Sequence, residues 1–284
     1  MDEPYEELDG AAIRSITGSG HYRAGARTPG GATMQPAALV RGLAEHLPPN
    51  VEPYEESAVR GVGDGPPFTL EAGAGTAIAD RVFLATNGYS SALGFLARRI
   101  FPLFTFASLT RALDDSEQQA LTGEREWGAV CEEPFGATVR RMADQRILIR
   151  NTVRYTGGIA SDRAFLARVR EEHTRAFRAR FPMLERVAME NTWGGILGIS
   201  MNGVPFFGEI RPSLYAAAGY NGVGVALGTA AGTLLADLAV GADSPLLDDM
   251  RAIATPAWIP PKTVLAVPLR ATLAYRRSQA REEM

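Results

Sequence analysis

Cysteine and lysine are almost missing from this sequence. Its 284 residues include one cysteine, Cys131, so neither a disulfide framework nor a cysteine-rich metal site can be built from it. A reducing compartment is the simplest setting, and the cytoplasm is the expected location. Of 29 basic residues only Lys262 is a lysine, so chemistry that needs a lysine amine has a single candidate. Arginine replaces lysine on most solvated faces, although the two differ chemically. Net charge is scarce too: a formal −3 leaves no basic footprint for nucleic acid. The arginine-rich stretch from Arg140 to Arg186 is tempered by Glu171 and Glu172, as in a solvated helix face. The acidic opening "MDEPYEELDG" lacks the apolar core of a secretory signal. A long apolar run is lacking as well, because Tyr220 to Asp237 is mostly glycine, alanine and threonine and too short to span a bilayer. No membrane association is expected.

What is present is enough apolar residue, 46% against 21% charged, for a globular chain of one large domain or two. "MQPAALVRGLAEHLPPN" predicts a helix from about Gln35 to Leu47, with Pro36 in its first turn and Pro48-Pro49 as its stop. Leu39, Val40, Leu43 and Leu47 fall at helical spacing, so that face is expected in the core. "VEPYEESAVRGV" alternates like a strand. "FTLEAGAGTAIADRVFLATNGY" predicts a hairpin turning at Gly73-Ala74-Gly75, then a buried strand from Val82 to Ala85 that ends in Thr86-Asn87-Gly88. A small, polar strand end of that kind is where open α/β sheets hold ligands.

From Arg99 to Val187 the texture changes. A strand from Leu103 to Thr110, a helix from Ser116 to Leu121 and the antiparallel pair "ATVRRM" and "RILIRNT" predict a second domain inserted in the first. "SDRAFLARVREEHTRAFRARFP" is an amphipathic helix capped by Ser161 or Asp162, with Phe165, Val169 and Phe177 on one face and arginines on the others. His21, His46 and His173 are scattered and are read as surface or helix residues. The expected division is 1–98, 99–187 and 188–284, the outer segments forming one domain.

Strand "SLYAAAG", turn "YNGVG" and helix "VALGTAAGTLLADLAVG" aim amide N–H groups and a positive dipole end at one point. The order Gly222-x-Gly224-x-x-x-Gly228 departs from GxGxxG, and no strand bearing a ribose-binding acid follows. Close packing of helix on sheet, with no ligand, is the alternative.

In order and spacing, "YRAGARTPGGATMQPAALVRGLAEHL", "YEESAV", "ADRVFLATNGY", "WGGILGISMNGVPFFGEI" and "YAAAGYNGVGVALGTAAGTLLADL" resemble the FAD-dependent D-amino-acid oxidase-like family. The likeness is to the branch with glycine, sarcosine and γ-glutamylputrescine oxidases. It implies a mixed α/β fold: a Rossmann-like FAD-binding domain, incomplete here, interleaved with an antiparallel-sheet substrate domain. It also implies site residues. Val59 would meet adenine; Ala85, Thr86, Asn87 and Gly88 would approach the pyrophosphate or ribityl chain. Gly219, Tyr220, Asn221, Gly222, Val223, Gly224 and Val225 would lie against the flavin ring, where a helix start stabilises negative charge on the reduced cofactor. FAD would be held non-covalently, since Cys131 lies outside the flavin loops.

The sequence departs from the family in lacking the opening GxGxxG unit and its ribose acid. Three readings stand: a fragment, one half of a split enzyme whose N-terminal half is supplied in trans, or a chain that has lost catalysis and serves as a binding scaffold. The family chemistry is hydride transfer from the carbon bearing a neutral amine to flavin N5, giving an imine that water hydrolyses, with oxygen as the expected electron acceptor. Aligned on Pro205 and Gly208, Leu197 stands where the D-amino-acid oxidase branch places its carboxylate-binding arginine. A small-molecule amine is therefore the expected substrate; Arg150 or Arg154 is the alternative source of carboxylate binding. No side chain is assigned as a catalyst, although Arg154 or Tyr155 could lie near the ring. No metal site is expected.

Overall fold

The computed structural model describes residues 4–73, 75–133, 135–156, 162–280 and 283. Ser161 and Ala74, named above as a cap and a turn residue, lie outside them. The first unit was not anticipated: strands β1 (Glu6–Asp9) and β2 (Ala24–Arg27) pair antiparallel around helix α1 (Gly10–Thr17). The Asp9 carboxylate accepts from the Ala12 N–H at 2.8 Å to start that helix, and Gly18 ends it in a left-handed conformation.

Helix α2 (Pro36–Glu45) forms as expected, capped by the Gln35 side chain. Its apolar face is not in a core. Val40 is 64% exposed and Leu43 62%, because no described element packs over that stripe. The expected strand at "VEPYEESAVRGV" is confined to β3 (Val59–Val62), since Pro53 and Glu56, at φ 53, interrupt the extended backbone before it. Strands β4 (Phe68–Ala72) and β5 (Gly75–Ala79) complete an antiparallel meander with β3. Strand β6 (Val82–Leu84) buries Val82 and Leu84 and leaves Phe83 45% exposed, so it is buried on one face and not on both. A 3₁₀ turn (Asn87–Leu93) follows.

Strands β7 (Phe101–Thr110), β8 (Trp127–Ala129), β9 (Thr138–Arg141), β10 (Ile147–Arg154) and β11 (Met189–Ile199) make a five-stranded antiparallel sheet in the order β11-β7-β10-β9-β8. Helix α3 (Asp115–Leu121) lies between β7 and β8 and starts with a reciprocal capping box of Asp114 and Glu117. Helix α4 (Arg163–Arg180), capped by Asp162, lays Val169 on Phe104 and Phe106, and Phe177 on Val139 and Ile149. Burying an aromatic side chain there contributes on the order of 2–3 kcal/mol. Strands β12 (Phe206–Arg211) and β13 (Leu214–Ala218) are antiparallel, and β13 pairs parallel with β6 across a long crossover. Helix α5 (Gly224–Val240) packs Ala231 and Leu235 on that sheet, followed by α6 (Pro245–Ala252) and α7 (Lys262–Gln279). No single helix among the described residues is long and apolar enough to cross a membrane.

Two polar residues of α4 are buried: Arg180, against the solvated face expected for the arginines, and His173, which lies in a helix as one of the two expected readings had it. Arg180 is buried and donates to the carbonyls of Ala176 (3.0 Å) and Glu283 (2.6 Å). His173 is fully buried: Nδ1 lies 2.8 Å from Ser108 Oγ, which is 2.9 Å from Thr192 Oγ1, while Nε2 lies 3.4 Å from Thr152 Oγ1. Burial lowers its pKa to about 4; the Arg150 charge adds to that shift and Glu172 opposes it.

A histidine titrating lower in the folded state than its unfolded value of 6.5 stabilises fully above 6.5, and that stability is lost as pH falls toward about 4. The loss should reach about 3 kcal/mol. Denaturant midpoints measured from pH 7 to pH 4.5 should fall accordingly, and His173→Gln should flatten that slope. An unchanged slope in the variant would assign the acid sensitivity to other groups.

Candidate functional site

Three chain segments far apart in sequence end beside one another. Strand β6 delivers Ala85 and Thr86 to Asn87, β13 delivers Gly219, and β11 delivers Gly198 and Ser200. Asn87 and Asn221 hold them together, each with a positive φ, at 42° and 52°. Both are asparagines, the residue type besides glycine that best tolerates this region. The Gly219 N–H donates to Asn87 Oδ1 at 2.9 Å. Asn221 donates its backbone N–H to the Gly198 carbonyl at 3.3 Å, and its Oδ1 accepts from the Ser200 N–H at 3.0 Å. Its Nδ2 returns to the Gly219 carbonyl at 2.6 Å. Gly88 backs directly onto β11, where a Cβ would come within 2.7 Å of the Ile196 side chain, so only glycine fits.

Beyond this clasp the backbone opens. Val223 caps α5 without any side-chain hydrogen bond, and among the described residues nothing accepts from the N–H groups of Gly224, Val225 or Ala226. Those donors have the dipole of a 17-residue helix behind them, and Val225 and Ala226 are exposed. A Cβ on Gly222, at φ 98°, would meet no atom within 4 Å, and Val223 is 65% exposed beside it. This arrangement of uncapped donors beside an apolar rim fits the edge of a planar, electron-accepting ring.

The tyrosine of the loop does something different from the rest. The Tyr220 ring folds back over Gly224 and Gly228 and donates from its hydroxyl to the Ala217 carbonyl at 3.1 Å. Burial raises its pKa. The glycine repeat therefore serves packing against the Tyr220 ring at Gly224 and Gly228 and leaves an open surface at Gly222. An apolar trough of about 280 Å³ runs alongside, between β6, β13 and α5, lined by Phe83, Ala85, Ala217, Tyr220, Gly232 and Ala236.

Ala85, Thr86, Asn87 and Gly88 and the turn from Gly219 to Val225 are thus brought together. Val59 lies apart in β3, whose meander packs beside the 3₁₀ turn. Arg154 is engaged in an ion pair with Asp162 (3.4 Å) and stacks on the Phe165 ring. Tyr155 is buried against Phe101 under α7, and burial raises its hydroxyl pKa. Cys131 donates to Glu283 Oε2 at 3.2 Å, and burial pushes its thiol up to about 11, far from a reactive thiolate. Gly198 and Ser200, which anchor the loop, were not singled out from sequence.

The profile of the DAO family, described as FAD dependent oxidoreductase, matches residues 1–238. A probable oxidoreductase OrdL of Rhizobium meliloti is 31% identical over 255 residues, covering 88% of this chain and 57% of that protein. Gamma-glutamylputrescine oxidoreductase of Escherichia coli is 27% identical over 242 residues, covering 83% and 54%. Glycine oxidase of Geobacillus kaustophilus superposes with a TM-score of 0.69 at 21% identity, over 86% of this chain and 65% of that one. The chain therefore spans little more than half the length of these curated relatives. With the family profile matching most of its residues, the chain belongs to the DAO family of FAD-dependent oxidoreductases.

Proposed function

We propose that this chain forms the ring-facing part of an FAD site in an enzyme that oxidises the carbon–nitrogen bond of an amine or amino acid. The observation that carries this reading is the uncapped start of α5, with Gly222 open beside it and the whole turn clamped to β11 by Asn221. The N–H groups of Gly224, Val225 and Ala226 would stabilise negative charge at the ring edge, and Val223 would exclude water from it. Ala85 to Gly88 would run under the cofactor's chain, with Val59 beside adenine. Bound FAD would supply the acceptor for a hydride leaving the amine-bearing carbon, and oxygen is the proposed final acceptor.

For the substrate, Leu197 supports an amine over an α-amino acid. In register it faces Leu103, and it offers a carboxylate no donor. The relative named for gamma-glutamylputrescine agrees with that preference. The open edge of β6 and the bare face of α2 support a site completed by further polypeptide, in the same chain or supplied in trans. The same bare edge favours, as a second reading, a scaffold that holds no flavin by itself.

A fluorescence titration of the purified 284-residue chain with FAD separates the two: quenching that saturates, with amine-dependent bleaching, supports the oxidase, while a folded protein that binds no FAD supports the scaffold. Gly222→Leu should weaken FAD binding at least about tenfold; a leucine in the left-handed region also costs about 1–2 kcal/mol of stability. Full flavin retention in this variant would remove the assignment of the turn. Asn87→Ala leaves the Gly219 N–H without its acceptor and should destabilise by about 1–3 kcal/mol in urea unfolding, with a parallel loss of FAD affinity.

A further inference from the structure

One face of the five-stranded sheet carries two arginines that the cofactor site does not use. Alternation along β7 turns Phe104, Phe106 and Ser108 toward α4, and Thr105 and Ala107 to the opposite face. Arg150 of β10 lies on that opposite face. Its Nη2 donates to Thr138 Oγ1 at 2.9 Å, and its Nη1 reaches across β10 to Thr105 Oγ1 at 3.4 Å. Arg140 shares the face with Thr138 along β9, and its stem lies across Gly128 of β8.

Among the described residues eight ion pairs occur, and neither arginine takes part in one. Burial, and next the charge of Arg140, lower the pKa of Arg150, yet a guanidinium remains protonated at neutral pH. Two partly buried cations, of which Arg150 has only hydroxyl acceptors, are costly to keep side by side unless an anion joins them. Hydroxyls fix the plane of the Arg150 guanidinium, as bidentate binding of a carboxylate needs.

Their position relative to the cofactor loops sets the size of what would join them. Thr105 is paired with Gly195 of β11, where a Cβ would meet nothing within 4 Å, so the face is open there. Helix α7 roofs the neighbouring row at Leu103 and Val153. Strands rise about 3.3 Å per residue and lie about 4.8 Å apart. The guanidinium is thus about 7 Å along the sheet from Leu197 and about 10 Å across it.

We propose that Arg150, supported by Arg140, determines substrate specificity by holding a carboxylate at the far end of an extended amine whose other end reaches the flavin loops. This rests on the reading of the site as an amine-oxidising flavin site. It places the anion remote from the reacting carbon, whereas an α-amino acid would carry it on that carbon.

Calorimetric titration of the full chain at low ionic strength, without flavin, tests the proposal with ω-aminooctanoate and its uncharged primary amide. The acid should bind about 10–100-fold more tightly than the amide, as expected for paired hydrogen bonds between charged groups. Arg150→Gln should abolish the difference, Arg150→Lys should keep a reduced part of it, and Arg140→Gln should reduce it less than either. Equal affinity for acid and amide, no binding of the acid, or a preference that survives Arg150→Gln would each overturn the proposal. If circular dichroism shows Arg150→Gln to be unfolded, Arg150→Lys decides: an undiminished preference overturns it. FAD titration of the same preparations reports separately on the flavin reading, because the acid–amide comparison contains no flavin.

Discussion

The candidate flavin site depends on two asparagine side chains. Asn87 joins the end of β6 to the start of the Gly219 turn, and Asn221 joins that turn to the end of β11. The Asn221 side chain adds to the backbone bond from its own N–H to Gly198 in tying the three-stranded sheet of β6 and β13 to the five-stranded sheet of β11 where their ends meet. Each asparagine adopts a backbone conformation that most residues avoid, a cost of about 1–2 kcal/mol. Each offsets it with hydrogen bonds to backbone groups that would otherwise lack partners. Backbone strain placed at a turn that also carries the candidate chemistry is a recurrent arrangement in enzymes.

The clasp also explains how one glycine-rich stretch serves two purposes. Gly224 and Gly228 lie under the Tyr220 ring, and that contact sets how closely α5 approaches its strand. Gly222, outside the contact, keeps the helix start bare. The same spacing thus combines packing inside with access outside, which is why neither a pure ligand motif nor a pure packing motif describes it.

Much of the fold was legible because local chemistry determined it. The Asp162 cap with Phe165, Val169 and Phe177 defined α4, and the short turn between β9 and β10 defined their pairing. The β1–α1–β2 unit was legible too, in Asp9 and Gly18, but was overlooked. What could not be read was whatever depends on distant partners. The burial of His173 rests on Ser108 and Thr192, and that of Arg180 on Ser19 and Glu283. Amphipathic spacing in α2 states that a face needs cover and not that cover is present. Within the candidate site, the sequence located the strand ends and the turn at Ala85–Gly88 and Gly219–Val225. It gave no sign that Gly198 and Ser200 anchor one of them, or that Arg150 looks out from the open side of the sheet.

Strand β6 has a further consequence for the isolated polypeptide. One of its sides is paired with β13, while the other presents backbone donors and acceptors to solvent, with Phe83 projecting beside them and the bare stripe of α2 elsewhere on the surface. A parallel edge next to apolar side chains is a place where another strand can add, and the three residues of β6 keep that template short. A strand added there would cover the Phe83 ring as well as the free edge, with no need for the helical surfaces to meet.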